Sequence, residues 1–258
     1  MRILLIGDVI GRPGRKAVES LLPGLRREYG VHFVVANGEN AAGGKGLTPA
    51  TAESLLESGV DVITSGNHIW AQKDIIPFLD GQLPVVRPLN YPPGVPGQGY
   101  LIKGKVMVIN LQGRAFMRDI ECPFRTLDTL LEQMRHRTPI IVVDFHAEAT
   151  SEKNALGRYF DGRVSAVVGT HTHVATADAR VFPRGTAFVT DIGMVGPMDS
   201  IIGDDIETVV QRFLTQMPSR LVVGKGDCIL NSVLVEVNEA TGLASSIVRV
   251  DREMEQDL

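Results

Sequence analysis

Cysteine is scarce in this chain of 258 residues, which has only Cys122 and Cys228. The two cysteines lie far apart and form no CxxC pair, so the sequence predicts neither a disulfide framework nor a structural zinc site made of thiolates. Two free thiols are typical of a protein from a reducing compartment. Because free cysteine is usually buried, we expect Cys228 to lie inside a strand.

Long apolar runs are also lacking. The N-terminal sequence MRILLIGD has a short apolar stretch that Gly7 and Asp8 end, which is too short for the apolar region of a signal peptide. No uninterrupted apolar segment approaches the roughly 20 residues that a helix needs to cross a bilayer. We therefore expect a cytoplasmic protein without a membrane partner.

An excess of positive charge is missing as well. The chain has 26 Lys and Arg against 30 Asp and Glu, so we expect no basic face for duplex nucleic acid. A small phosphorylated substrate needs only a few local cations and stays compatible with this balance. One Trp against 27 Gly favours a turn-rich α/β chain. The length favours a single domain over residues 1–258.

What the sequence does contain is a repeated unit of strand, polar loop and helix. Buried strands are predicted at residues 3–6, 32–36 and 60–64, each followed by a loop that contains Gly. A helix follows each loop, the first from about Arg15 and the second with Thr48 as its N-cap. This repeat predicts a parallel sheet whose functional site lies at its carboxyl edge.

The rest of the chain predicts more strands around an irregular segment. Residues 81–104 are rich in Pro and Gly and predict a loop, and residues 126–137 predict a helix. Further strands are expected at 106–110, 139–145, 164–169, 187–190, 229–237 and 246–250. We expect the strands of the last third to form a second sheet that packs on the first.

Five predicted strands end in residues of the types that bind metals. These residues are Asp8, Glu39, Asn67, His146 and the pair His171 and His173. Parallel strands lie about 4.8 Å apart and place their carboxyl ends in one row, so we expect these side chains to share one pocket. In an extended segment, the two members of the histidine pair would face the same way.

The mixture of carboxylate, amide and imidazole groups is typical of a site for borderline divalent ions. The number of ligands exceeds what one ion needs when a coordination position stays open. We therefore expect two divalent or trivalent ions that share a carboxylate about 3.5–4 Å apart, an arrangement that suits phosphoryl transfer. Iron or manganese is expected first, with zinc and magnesium as alternatives.

Five motifs carry a family resemblance, in the order GDVIGRPGR, NGENAAGGKGLT, TSGNHIW, DFHAEATSEK and GTHTHVATAD. They resemble the bacterial YmdB family of calcineurin-like metallophosphoesterases over essentially the whole chain. The resemblance implies an α/β fold, a four-layer α/β/β/α sandwich of two mixed sheets flanked by helices. It also implies a hydrolase, a di-metal phosphodiesterase acting on cyclic nucleotides, especially 2′,3′-cyclic and secondarily 3′,5′-cyclic nucleotides.

The sequence departs from the general calcineurin-like pattern at three positions. Ile10 stands where the first motif usually has a His ligand, and the resemblance implies that Asn40 fills this gap. Glu39 stands where the bridging residue is usually Asp, and Ile69 stands where an acidic residue is usual. These departures leave the identity of the ions and the substrate open.

The expected ligands divide into two sets that share one carboxylate. The sets are Asp8 and His173 with Asn40 for one ion, and Asn67, His146 and His171 for the other, with Glu39 as the bridge.

His68 is the residue that we expect to act as a catalytic acid without binding metal. An imidazole titrates near neutral pH, and protonation of a leaving alkoxide is typically worth 10²–10⁴-fold in rate. The expected mechanism is attack of a metal-bridged hydroxide on phosphorus, with His68 as general acid. Arg12, Arg15 and Lys45 are either phosphate contacts or ordinary surface charges, and the sequence leaves both interpretations open.

Three alternative functions remain open at this point. A phosphomonoesterase or nucleotidase would use the same two ions and differ only in the shape of its pocket. A non-catalytic regulatory protein could use the metal site for sensing or stability. A dinucleotide-binding module is disfavoured because the spacing of Gly7, Gly11 and Gly14 is not G-x-G-x-x-G, and Asp8 would repel a pyrophosphate. A homo-oligomer is compatible with the sequence, which says nothing further about assembly.

Overall fold

The computed structural model describes residues 1–255, so the last three residues of the expected domain 1–258 lie outside the described residues. The helices of the described range are α1 Gly11–Tyr29, α2 Pro49–Glu57, α3 Pro123–Met134, α4 Thr150–Tyr159 and α5 Ile206–Thr215, with 3₁₀ helices at Lys73–Phe78 and Arg135–Arg137. The first strands are β1 Arg2–Val9, β2 Phe33–Asn37, β3 Val62–Thr64, β4 Tyr100–Lys103, β5 Val106–Gln112, β6 Ile140–His146 and β7 Ala166–Thr170. The later strands are β8 Arg180–Val181, β9 Ala187–Val189, β10 Met194–Pro197, β11 Cys228–Leu230, β12 Ser232–Val237, β13 Ala244–Arg249 and β14 Arg252–Met254.

The first sheet is built around β1. On one edge β2 pairs with β1 in parallel, and β3 pairs in parallel with β2. On the other edge β12 runs antiparallel to the first part of β1, and β10 then pairs in parallel with Asp8 and Val9. The strands β13, β11 and β14 extend the sheet outward through antiparallel pairs. β1 therefore changes its partner on this edge close to Asp8.

The second sheet has the strand order β4-β5-β6-β7-β9-β8. Its four central strands are parallel, and the antiparallel strands β4 and β8 form its edges. The sequence assignment of the second sheet was wrong in one respect. The strands predicted at 229–237 and 246–250 join the first sheet, and the second sheet comes from residues 100–189. Pairing between strands that are distant in sequence decides this, and local patterns do not encode it.

Alternate residues of β1 show how the layers arise. Ile3 and Leu5 pack with Val108 and other residues of the second sheet, because one face of each sheet is apolar. Leu4 and the other outward residues of β1 pack against α1 and α2. The far face of the second sheet packs against α3 and α4. The predicted α/β/β/α sandwich of two mixed sheets is therefore confirmed.

The Gly-rich segment after β1 corrects an expectation. The helix predicted from about Arg15 begins at Gly11, directly after the strand. Gly11 has a φ of +55°, which favours glycine, and a Cβ on Gly14 would collide with the backbone carbonyl of Val195. The two glycines let α1 start close to Asp8 and pack tightly on β10.

The other boundaries follow the local signals to different extents. The hydroxyl of Thr48 accepts a hydrogen bond from the amide of Thr51 at 3.2 Å, so the predicted N-cap of α2 is confirmed. Cys228 is buried in β11, as expected. The strand predicted at 229–237 is interrupted at Asn231, and the helical stretch predicted after His68 is a short 3₁₀ helix. Among residues 1–255 we find no helix with the length and hydropathy of a membrane-spanning segment.

Candidate active site

The expected ligands come from the carboxyl ends of strands in both sheets. Asp8 lies near the end of β1, and Glu39 and Asn67 follow β2 and β3 of the first sheet. His146 is the last residue of β6 in the second sheet, and His171 directly follows β7. The single row of strand ends that we expected was therefore wrong. Two rows, one from each sheet, meet where the sheets face each other, and they still form one pocket.

His146 is the centre of one group of expected ligands. Its Nε2 lies 3.0 Å from Oδ1 of Asn67, 3.1 Å from Oε1 of Glu39 and 3.0 Å from Nδ1 of His171. His146 and Glu39 are fully buried, whereas His171 is partly exposed. One ligand atom each from Glu39, His146 and His171 lies within 4.8 Å of the other two. These contacts bring together the whole ligand set that we assigned to one ion.

Asp8 is the centre of a second group. Its Oδ1 lies 3.8 Å from Nε2 of His173, and its Oδ2 accepts a hydrogen bond from the backbone amide of His171 at 3.1 Å. Nδ2 of Asn40 lies 3.1 Å from Nε2 of His173. Oδ1 of Asn40 instead faces Nδ1 of His68 at 3.2 Å. The structure thus places Asn40 beside the Asp8 group, with its amide nitrogen toward the histidine.

The segment that carries His171 and His173 is not extended. The two residues have φ angles of 96° and 64°, in the left-handed region that costs a side chain about 1–3 kcal/mol. The expectation that they face the same way because of an extended backbone was therefore wrong. Their rings nevertheless line one cavity. Backbone strain at two expected ligand positions is typical of a functional site, because the surrounding structure must hold it in place.

Burial and mutual contact shift the pKa values of the ligands strongly. Burial raises the pKa of Asp8 to about 6. Burial acts in the same direction on Glu39, but His146 outweighs it and brings the pKa of Glu39 to about 2. Burial acts to lower the pKa of His146, yet Glu39 outweighs it and raises that pKa to about 9. Burial lowers the pKa of His171 to about 3 and also lowers the pKa of His68.

The residues fit a site for metal ions. Oδ1 of Asp8 is fully buried and has no hydrogen-bond partner among the described residues. A buried carboxylate oxygen without a partner is costly, and a cation would supply the missing interaction. Two buried carboxylates, two amides and three imidazoles also form the mixed donor set that suits iron, manganese or zinc. This orphaned oxygen points to cation binding independently of the sequence motifs.

His68 lies beside the ligands without joining either group. Its backbone amide donates to Oε2 of Glu39 at 3.1 Å, and its Nδ1 lies 3.5 Å from Oε1 of the same carboxylate. The side chain keeps 31% of its surface exposed, so it faces the open part of the pocket. This placement suits a group that exchanges a proton with a bound molecule.

Comparison with known proteins identifies the family. The family model described as YmdB-like protein matches residues 4–250. The chain belongs to the YmdB-like family. It is 52% identical over 254 residues to the 2′,3′-cyclic-nucleotide 2′-phosphodiesterase of Bacillus subtilis (strain 168), with 97% of this chain and 96% of that relative covered. The predicted family is confirmed, and so is the predicted enzyme class, a hydrolase of phosphoric diesters.

Two solved structures share the fold of this YmdB-like chain. A hypothetical protein from Thermus thermophilus superposes with a TM-score of 0.93 at 44% identity, covering 99% of this chain and 100% of that chain. A structure from Mycoplasma pneumoniae described as a novel phosphatase gives a TM-score of 0.92 at 35% identity, covering 99% of this chain and 94% of that chain. The match extends over both sheets of the sandwich.

Three buried residues that support the YmdB-like site were missed by sequence reasoning. The first is Asp144, which accepts a hydrogen bond from Thr170 at 2.7 Å, and Oγ1 of Thr170 lies 3.0 Å from Nδ1 of His146. Burial raises the pKa of Asp144. This chain of contacts fixes the orientation of the His146 ring, as supporting residues do at metal sites.

Asp191 and Lys153 are the other two missed residues, and they hold the strained histidine segment. Oδ2 of Asp191 accepts hydrogen bonds from the amide and the hydroxyl of Thr172, at 3.2 and 2.7 Å. Nζ of Lys153 lies 2.7 Å from the same oxygen, and both charged groups are fully buried. A signal was available, because Asp191 directly follows a predicted strand in the same way as Asp8, and Lys153 ends the motif DFHAEATSEK.

Two cavities open from the ligands. One has a volume of about 610 Å³, and its lining includes Glu39, Asn40, His68, His171, His173, Arg212, Arg220 and Leu221. The second has a volume of about 440 Å³. Of the three cations that the sequence left open, Lys45 lines both cavities.

The two arginines left open by the sequence lie elsewhere. Arg15 donates a hydrogen bond to the carbonyl of Ala41 and so holds the loop that carries Asn40. Arg12 is exposed and lines neither of these cavities. Lys45 is therefore the best placed of the three to contact a bound phosphate.

Proposed function

We propose that this protein is a di-metal-dependent phosphodiesterase that hydrolyses 2′,3′-cyclic nucleotides to 3′-nucleotides. The observation that carries the proposal is the convergence of Glu39, His146 and His171 beside the unpartnered buried oxygen of Asp8. The name of the Bacillus subtilis relative supports the substrate class and the bond that is cleaved. Cyclic 3′,5′-nucleotides form the second substrate class of the proposal.

The ligand sets of the proposal are those that the contacts bring together. Asn67, His146 and His171 would hold one ion, Asp8 and His173 with Asn40 would hold the other, and Glu39 would contact both. Bound ions of this kind supply positive charge to a phosphate and lower the pKa of water. Asn40 would serve as a ligand through its oxygen, which requires a rotation of its amide.

The chemical step adds water to phosphorus and breaks the bond between phosphorus and the 2′-oxygen. The departing oxygen must gain a proton, and the phosphomonoester forms with the phosphate on the 3′-oxygen. We assign the proton transfer to His68, because its ring borders the ligands and is open to both cavities. Glu39 accepts a hydrogen bond from the backbone amide of His68 and so holds this residue beside the expected ligands.

Replacement of His68 by Ala tests the proposal. We expect the turnover number for 2′,3′-cyclic AMP to fall by about 10²–10⁴-fold, because a general acid contributes that much. The metal content of the purified variant, measured by elemental analysis, should equal that of the wild type. His136, which is exposed and outside the site, offers a matched control in His136→Ala, which should keep both properties.

The same assay separates the proposal from its alternatives. Hydrolysis of AMP in preference to 2′,3′-cyclic AMP would contradict a phosphodiesterase and favour a phosphomonoesterase. Metal binding by the wild type without hydrolysis of any cyclic nucleotide would contradict the enzyme and favour a regulatory protein. Loss of metal in His68→Ala would show that His68 is a ligand, which contradicts its assignment as the acid.

A further inference from the structure

Phe116 is an exposed aromatic residue at the edge of the site, and it belongs to neither set of expected ligands. Phe116 follows β5 and has 92% of its surface exposed, the highest value among the exposed large hydrophobic residues of the described chain. Its φ angle is 62°, which is rare for a bulky side chain. Both the exposure and the backbone conformation cost free energy, so a functional reason for them is expected.

The loop that carries Phe116 is tied to the metal ligands. The amide of Gly113 donates to the carbonyl of His146 at 3.0 Å. The amides of Arg114 and Ala115 donate to the carboxylate of Glu152 at 3.0–3.2 Å. These bonds fix the base of the loop relative to His146 and so keep Phe116 beside the site.

The ring borders the second cavity together with three site residues. This cavity of about 440 Å³ is lined by Lys45, Asn67, His68, Phe116, Met117, Arg118 and His171. The aromatic ring, the catalytic histidine and two expected ligands thus face one space. A nucleotide whose phosphate lies at the ligands would extend its base into this cavity or into the larger one.

The chemistry of the two cavities favours the smaller one for the base. Among the described residues that line them, Phe116 has the only benzene ring, and the guanidinium-bearing Arg118 lines the same cavity as Phe116. Nucleobases stack on aromatic rings and on guanidinium groups. The larger cavity is also lined by guanidinium groups, those of Arg212 and Arg220, but by no Phe, Tyr or Trp among the described residues. The ring of Phe116 is therefore what favours the smaller cavity.

We propose that Phe116 is the base-stacking residue of the active site and that Arg118 flanks the same base. This inference rests on the proposed function, since it takes a nucleotide as the substrate. Because any base has a flat aromatic face, stacking on Phe116 gives affinity for nucleotides with little choice among the four bases. The enzyme would therefore distinguish cyclic nucleotides from cyclic phosphates that lack a base.

The test compares Phe116→Ala with the wild type on two substrates, with both proteins loaded with the same metal. The KM for 2′,3′-cyclic AMP should rise about 10-fold to 100-fold, the range expected for the loss of one stacked base. The specificity constant for glycerol 1,2-cyclic phosphate, a cyclic diester without a base, should stay within about twofold of the wild type, since no stacking is lost. Phe116→Tyr should behave like the wild type, because it keeps the ring.

Phe213→Ala is the matched control. Phe213 lies on α5 with 74% of its surface exposed, and it lines neither of the two cavities that open from the site. Its replacement should leave both substrates unaffected. Equal losses on both substrates in Phe116→Ala, or a loss on 2′,3′-cyclic AMP only in Phe213→Ala, would overturn the inference.

A binding measurement separates this inference from the proposed function. Phe116→Trp adds an exposed fluorophore to a chain whose only other tryptophan is Trp70. Adenosine 3′-phosphate should quench the added emission, and glycerol 2-phosphate should not. Quenching without hydrolysis would support the inference and contradict the proposed reaction. Hydrolysis of 2′,3′-cyclic AMP by the wild type without quenching in Phe116→Trp would support the proposed reaction and contradict the inference.

Discussion

Lys153 and Asp191 show how a single buried residue can maintain the geometry of a site that it does not enter. The carboxylate of Asp191 accepts two hydrogen bonds from Thr172, the residue between His171 and His173. Its other oxygen accepts the amide of Gly193 at 2.8 Å. Lys153 supplies a positive charge that offsets the burial of this carboxylate. The strained histidine segment therefore depends on an ion pair beneath it.

We expect Lys153→Met to destabilise the protein by about 3–5 kcal/mol, because it leaves the charge of Asp191 buried and unpaired. Methionine has a similar length and is apolar, so the loss of charge is the main change. Urea unfolding followed by circular dichroism measures the free energy of unfolding. The variant should also lose activity, because Asp191, which holds the histidine segment, is left without its counter-charge.

The control for this prediction is an exposed ion pair. Lys105 lies 2.7 Å from Glu239, and both side chains are well exposed. Lys105→Met should leave the urea midpoint nearly unchanged, since exposed pairs contribute little. Similar unfolding midpoints for Lys105→Met and Lys153→Met would show that the buried pair does not carry the stability that we assign to it.

The loop between β3 and the 3₁₀ helix Lys73–Phe78 is a place where the two sheets approach each other closely. Gly66 lies in this loop, next to Asn67. A Cβ at Gly66 would collide with the ring of His146 from the second sheet and with the carboxylate of Glu39 from the first. The close approach of the two ligands therefore requires glycine at this position.

We expect Gly66→Ala to reduce metal content and activity to a small fraction of the wild-type values, because the added methyl group pushes His146 and Glu39 apart. Gly24→Ala in α1 is the matched control, since a Cβ there meets nothing within 4 Å. It should keep full activity and gain roughly 0.5–1 kcal/mol of stability from helix propensity. Elemental analysis and thermal melts of the two variants check both statements. Full metal content in Gly66→Ala would contradict the role assigned to this glycine.

The same elements show which features could be predicted from the sequence. Strands that are buried on both faces and end in Asp, Asn or His were visible as short apolar runs, which is why Asp8 and His146 were found. The N-cap at Thr48 was a local signal and was also found. The helices α4 and α5 were not predicted, although residues 206–215 have apolar positions at helical spacing.

The remaining features depend on contacts that are distant in sequence. The assignment of residues 229–237 to the first sheet follows from pairing of β12 with β1, and no local pattern encodes such a pairing. The left-handed backbone at His171 could not be read from the residue, because glycine is the usual signal for that conformation. Lys153 was missed because a lysine is ordinarily exposed, and its burial here depends on Asp191, which lies far away in the sequence.

For the whole molecule, the position of the site follows from the sandwich. The two sheets share an apolar interior that includes Ile3, Val35, Val142 and Val168, and their strand ends meet at one edge. Because this interior is continuous, we propose that the chain forms a single domain. The expected ligands then belong to two halves of one core, so a cation that binds both halves should stabilise the entire fold.

We therefore expect manganese to raise the melting temperature of metal-depleted protein. A ligand at 100 times its dissociation constant adds about 2.7 kcal/mol to the stability of the folded state. For a chain of this length, that gain corresponds to roughly 5–11 °C. Differential scanning calorimetry with and without Mn²⁺ measures the shift, and a chelator should reverse it.

Glu39→Gln tests whether the shift in melting temperature arises from manganese at the proposed site. The substitution keeps the shape of the side chain and removes the buried charge that contacts His146 and His68. The metal-depleted variant should melt below the wild type, because it loses the buried charge that faces His146. Relative to its own metal-depleted melting temperature, it should also lose most of the shift with Mn²⁺, because the proposed shared carboxylate is gone. An equal shift in Glu39→Gln and the wild type would place the manganese elsewhere and would remove the physical basis for the proposed metal centre.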